Sequence, residues 1–298
     1  MAFAKRIVLF LLTNILIVLT LSFILQFLGI GHYVRAYGLD YQSLMIFCFV
    51  WGMGGAFISL LLSKVMAKWM MGVKVIDPRN QGQFRELFSI VEGLSRRAGI
   101  SMPEVGVFES PELNAFATGP TKNHSLVAVS SGLLNKMNSD QVEAVLGHEI
   151  THVANGDMVT LTLIQGIINA FVMFLARVIA FFMTQSRDRE SSSSMSRFFI
   201  TMVLEMVLGL FGAMLVAWFS RFREFRADMG GAKLAGKRKM ISALEKLKET
   251  YSLRDPRIQQ DAFQSMKISG SRKGFLSLFA THPPLEDRIA ALERAPIV

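Results

Sequence analysis

The chain has 298 residues, 51% of them hydrophobic and only 18% charged, with a mean hydropathy of +0.39, a balance that excludes an ordinary soluble domain. Its formal charge of +9 and pI near 9.8 would suit nucleic acid, but the basic residues gather where apolar stretches end, which points to anionic lipid and to no nucleic-acid partner. Cys48 is the single cysteine, so neither an intrachain disulfide nor a cysteine-based zinc finger can form.

Within residues 7–30 the polar interruptions are Thr13, Asn14, Thr20, Ser22 and Gln26, and the stretch is long enough to cross bilayer hydrocarbon as a helix. Lys5 and Arg6 resemble the start of a signal peptide. The apolar run is too long for one, however, and no small-residue cleavage site follows. Residues 44–62, 159 to about 176 or 183, and 198–219 qualify as further spans. Four transmembrane helices are therefore expected. Lys5 and Arg6, then Lys64, Lys68, Lys74, Arg79 and Arg85, then Arg221, Arg223, Arg226 and Lys233 fall on one side if the spans alternate. By the positive-inside rule that side is cytoplasmic. The opposite connections, 31–43 and 184–197, are short, and the second carries a polar run that ends in Ser191 to Ser194.

Residues 77–157 read as a soluble α+β segment. An amphipathic helix is expected over 83–97, with Leu87, Phe88, Val91 and Leu94 as its apolar stripe and Gly99 as its stop. Short β-like runs follow at 105–108, 115–118 and 126–130, separated by Pro111, Gly119-Pro120 and Asn123, and they suggest a small antiparallel sheet. The next helix opens with Asp140 and Glu143 in a capping-box-like relation and should bury Val142, Val145, Leu146 and Val153. Asn155-Gly156 signals its end, with Asp157 as a new N-cap. After the fourth span come helices at 221–235, 238–251 and 284–293, with a loop over 254–274.

That helix carries His148-Glu149-Ile150-Thr151-His152. Histidines four apart share a helix face one turn apart, so both can reach one metal ion, while Glu149 can reach a water activated there. From His152 to Met158 is six residues, about 9 Å at helical rise, which keeps the motif close to the third span. A catalytic zinc needs a third protein ligand. His282, His124 and His32 are candidates, as are Glu224 and Asp228 in an E-x-x-x-D pair just past the fourth span. Glu224 is five residues beyond Phe219, a depth that matches His152. The bland alternative is a basic interfacial helix whose acid is salt-bridged to its neighbours. Asn114-Ala115-Phe116-Ala117 would suit an edge strand that receives substrate backbone, or an ordinary half-buried strand. Asn155 reads either as a helix-end residue or as a substrate contact, and His124 as an exposed turn residue. Glu205, inside the fourth span, should face other helices or water, with Arg177 or a backbone group as its partner; Arg177 could equally snorkel to the outer interface.

HEITHVANGD, SRFREFRAD, LNAFATG and THPPLEDR together resemble the HtpX group of integral-membrane zinc metalloproteases, which are related to the CAAX prenyl endopeptidases. The likeness runs over essentially the whole chain. It implies one Zn²⁺ per chain held by His148, His152 and Glu224, with Glu149 as general base. It also implies Asp228 as a carboxylate that orients a ligand histidine, and His282 as a group that stabilises the oxyanion.

The fold expected is a mainly α membrane protein: four transmembrane helices and a cytoplasmic zincin-like α+β metalloprotease domain. Residues 1–63 would form a two-helix anchor, 64–158 and 220–298 the protease segments, and 159–219 the third and fourth spans. The expected activity is endoproteolysis of membrane or misfolded proteins at the cytoplasmic face of a bacterial inner membrane, in quality control. The competing readings are a processing protease of lipidated C-termini and a non-catalytic zinc transporter or sensor.

Overall fold

The computed structural model describes residues 40–185, 194–254 and 278–296. The expected span at 7–30, His32, most of the serine run and the loop beyond Arg254 lie outside the described residues. Contacts divide the described residues into two compact units, one drawn from 40–58 and 162–213 and the other from 59–161 and 214–296.

Among the described residues, three helices are long and apolar enough to cross a membrane: α1 (Tyr41–Met71), α5 (Asp157–Gln185) and α6 (Ser194–Ala235). In the first unit Met45 and Cys48 of α1 pack against Phe174 and Val178 of α5. Arg177 of α5 pairs with Glu205 of α6 and also donates to the Met173 carbonyl. Of the two partners expected for Glu205, an arginine and a backbone group, the structure shows Arg177. The helix expected at 221–235 is the last part of α6. No glycine or proline interrupts the chain from Ala213 to Met229, so nothing stops the helix where its apolar stretch ends.

The second unit is built on a four-stranded sheet of order β1 (Lys74–Val75), β2 (Glu104–Phe108), β4 (His124–Ser130), β3 (Ala115–Thr121). The expected antiparallel sheet is in fact mixed: β1 and β3 run antiparallel to their neighbours, but β2 and β4 are parallel. The chain crosses over after β2, which places β4 between β2 and β3. Leu126, Val127, Ala128 and Val129 are consequently all buried, as a central strand covered on both faces requires. β3 is left at the edge, where Pro120 costs no ladder bond to a further strand.

One sheet face packs on α2 (Arg85–Ala98) and α4 (Ser139–Asn155) through Leu87, Val91, Leu94, Val127, Val129, Val142, Leu146 and Ile150. Phe108, Leu126 and Ala128 cover the other face together with Val73. Between sheet and α4 lies the short α3 (Ser131–Lys136). A second apolar cluster joins Ala144 of α4 to Met240, Ala243 and Leu244 of α7 (Lys237–Arg254) and Leu292 of α8 (Leu285–Arg294). The motif helix is therefore clamped on two sides. Val145, expected in the core, touches both clusters but is only half-buried because it also lines an open cavity.

The start of α4 also differs from expectation. Asn138 is the N-cap: its Oδ1 accepts the Gln141 N–H at 2.9 Å, and Gln141 Oε1 accepts the Asn138 N–H at 3.2 Å. This capping box contributes about 1 kcal/mol. Asp140 and Glu143 both meet Lys239 of α7 at 2.7 Å, and Glu143 also meets Arg97 of α2 at 2.6 Å. At the far end Gly156 takes φ 65°, a left-handed conformation that glycine adopts freely, and its N–H bonds back into the last turn. The chain then turns straight into α5 at Asp157.

Candidate metal centre

His148 and His152 point the same way from α4, their rings 4.7 Å apart and their Nε2 atoms 3.2 Å apart. Glu224 comes to them from α6, with Oε1 3.3 Å from His152 Nε2 and Oε2 3.5 Å from His148 Nε2. One ligand atom from each of the three residues lies within 4.8 Å of the others. His124 is not brought here. It starts β4, exposed, beside Thr121.

The other nitrogen of each imidazole is held by a carboxylate. His148 Nδ1 lies 2.9 Å from Asp228 Oδ1, and His152 Nδ1 lies 2.7 Å from Asp157 Oδ2. With Nδ1–H donated to a carboxylate, each Nε2 lone pair faces the common point beside Glu224. Two imidazole nitrogens and a carboxylate oxygen, directed in this way, are a donor set that suits a zinc ion. The electrostatics agree. Burial pushes the His148 imidazole pKa down, but Asp228, Glu224 and Glu149 outweigh it and raise it to about 9. His152 is also raised, by Asp157 and Glu224 against its burial. The pocket favours positive charge.

Close helix packing makes this geometry possible. A Cβ on Gly230 of α6 would clash with the Thr151 side chain, and one on Gly231 would crowd the His148 backbone. α6 can therefore press Glu224 and Asp228 against the motif helix. Each carboxylate has an arginine behind it as well. Arg288 of α8 forks onto Asp228, through Nε to Oδ2 at 2.7 Å and Nη2 to Oδ1 at 2.6 Å. Arg223 Nη1 approaches Asp157 at 3.9 Å.

A cavity of about 800 Å³ opens over these groups. Glu149, His148 and Glu224 line it, with Asn114 and Ala115 at the start of the edge strand and His282 at the rim. His282 Nδ1 lies 2.8 Å from Glu224 Oε2. Arg221 donates to the carbonyls of Leu278 and Ala280 and so holds the segment leading to His282. Phe116 and Asn155 are not among the cavity's described lining residues. Phe116 alternates to the other face of β3, its ring 5.6 Å from that of Phe108, and Asn155 ends α4. Sequence reasoning missed Arg288, Arg223 and the histidine contact of Asp157. Only the position of Asp157, one turn past His152, could have signalled its role.

The model of peptidase family M48 matches residues 81–295. A protease HtpX homolog of Methylacidiphilum infernorum is 51% identical over 298 residues, covering 98% of this chain and 99% of that protein. One from Thiobacillus denitrificans is 53% identical over 291 residues, covering 97% and 98%. Among solved structures, Ste24p of S. mikatae matches with a TM-score of 0.60 at 20% identity, covering 96% of this chain and 67% of that one, a likeness of fold.

Proposed function

The chain belongs to peptidase family M48 and is a membrane-bound metalloendopeptidase of the HtpX type, and we propose that His148, His152 and Glu224 hold its single zinc ion. The observation that carries this reading is the convergence of both Nε2 atoms and the Glu224 carboxylate, with each Nδ1 tied to an aspartate.

When bound, the zinc supplies a Lewis acid that polarises the scissile carbonyl and lowers the pKa of water. Glu149, half-buried in the cavity wall, takes a proton from the attacking water on its carboxylate and passes it to the nitrogen of the leaving amine. His282, at the cavity rim, donates a hydrogen bond to the oxygen on which charge develops. The free edge of β3, beginning at Asn114 and Ala115, receives the substrate backbone by strand addition. Asp228 keeps His148 in the tautomer that turns Nε2 inward.

The substrates proposed are membrane and misfolded proteins, cleaved in quality control at the cytoplasmic face of a bacterial inner membrane. Four spans are proposed in all, the first at 7–30, with 64–158 and 220–298 supplying the protease body. The orientation rests on the clustering of Lys and Arg at one set of span ends. Casein hydrolysis and bound zinc, measured on purified wild type and Glu149→Gln, test the chemistry. Zinc should stay and cleavage should fall by about 10²-fold or more. Undiminished cleavage in Glu149→Gln would remove Glu149 from the reaction. Single cysteines introduced near Ser192 or Lys233 in a Cys48→Ser background test the orientation; labelling of the Lys233 region from outside the cell would reverse it.

A further inference from the structure

We infer that Arg288 is a positioning residue for the metal site, acting through Asp228 on His148; the inference rests on the reading of His148 as a ligand. Arg288 lies on α8, is buried, and binds both oxygens of Asp228 with a two-pronged fork. The Oδ1 that accepts one prong also lies 2.9 Å from His148 Nδ1. A carboxylate held this way cannot rotate, so the imidazole that bonds to it is fixed in ring plane as well as in tautomer. The third guanidinium nitrogen, Nη1, stands 3.5 Å from Glu224 Oε2. That approach is longer than either prong of the fork, so the grip of the guanidinium is on Asp228, the support of His148. Asp228 is 1% exposed, so the guanidinium and the imidazole are enclosed with it and leave its carboxylate little room to turn.

The second aspartate shows the contrast. Arg223 stands 3.9 Å from Asp157 and makes no fork onto it. The rigid support is therefore specific to His148. It is delivered by the C-terminal helix, sixty residues along the chain from Asp228. Lysine cannot reproduce it, because an ammonium offers a point charge where the guanidinium offers two parallel donors.

The test uses the full-length protein in detergent, stripped of metal, with zinc titrated in competition with a chromophoric chelator. Arg288→Met should weaken zinc binding by about 10–100-fold, as loss of an outer support does, and Arg288→Lys should fall between it and wild type. On an Asp228→Asn background, Arg288→Met should add less than about threefold, since the arginine acts through that carboxylate. In the Co²⁺-substituted protein, the ligand-field spectrum of folded Arg288→Met should differ from that of wild type. An arginine with only a structural role would lower the melting temperature and leave that spectrum alone. Wild-type zinc affinity in folded Arg288→Met, or a full additional loss on the Asp228→Asn background, overturns the inference. If Arg288→Met gives no cooperative melt, Arg288→Lys decides: affinity equal to wild type overturns it. His148→Ala separates the two readings. Undiminished zinc in that variant sinks the ligand assignment, whereas loss there with wild-type binding in the Arg288 variants sinks only the positioning role.

Discussion

Gly231 of α6 lies against the backbone of His148, so close that a Cβ on it would stand 3.0 Å from the His148 amide nitrogen and 3.2 Å from its Cα. Backbone cannot move aside as a flexible side chain can, so Gly231→Ala should push α6 away from α4. The expected cost is about 1–3 kcal/mol of stability, the usual range for overpacking. Glu224 and Asp228 lie on the displaced helix, and zinc retention should fall along with the melting temperature. A variant with wild-type melting and zinc content would show that the contact is not tight.

Removing the carboxylate from the ligand set gives a second expectation. Glu224→Ala should lose most of the bound zinc, because two imidazoles alone leave the ion short of protein ligands. Metal per chain, measured after dialysis against a weak chelator, checks this. Stoichiometry equal to wild type would exclude Glu224 as a ligand.

Asp157 should matter for the other histidine. Its Oδ2 lies 2.7 Å from His152 Nδ1, so Asp157→Asn replaces a charged acceptor by an amide and loosens the ring. Zinc affinity should drop by about 10–100-fold while the fold survives. Chelator competition against wild type reads the change, and an unaltered affinity would reduce Asp157 to a helix start.

The motif was legible because both histidines and Glu149 lie in one helical turn, where spacing alone dictates direction. Asp157 was legible only as a helix start, and Arg288 not at all. Its target Asp228 lies on another helix, and periodicity says nothing about which distant elements meet. The sheet failed for a similar reason. Runs 105–108, 115–118 and 126–130 were visible as strands, but strand order depends on the crossover after β2. The one available sign was Leu126-Val127-Ala128-Val129, an unbroken apolar run typical of a strand covered on both faces. α4's cap was misplaced by two residues because Asp140 and Glu143 imitate a capping pair while their charges serve Arg97 and Lys239.

The Glu143 cluster makes a pH prediction. Burial pushes its carboxyl pKa up, but Lys239 and Arg97 outweigh that and leave it below the ordinary glutamate value. A folded pKa below the unfolded one, about 4.3, stabilises the fold above that pH, and the contribution is lost as pH falls through the folded value. Glu143→Gln should therefore melt below wild type at neutral pH by about 1 kcal/mol, the partners being part-exposed. The two melting curves should converge in acid. A difference that persists unchanged at the lowest pH would mean packing, and not charge, is responsible.

Arg177 and Glu205 supply the last prediction, in the membrane unit. They pair within apolar helices, each about a third exposed. A charge at bilayer depth costs about 2.5–3.5 kcal/mol when left alone on a helix, so Glu205→Leu and Arg177→Leu should each destabilise by an amount of that order. The double variant removes both charges together, and Arg177→Leu/Glu205→Leu should recover much of the loss, because two leucines are at home in lipid. Thermal stability in detergent–lipid micelles, measured for wild type, both singles and the double, closes the cycle. Additive losses in the double variant would mean that each group is satisfied independently by water or headgroups, and the pair would then contribute nothing to holding α5 against α6.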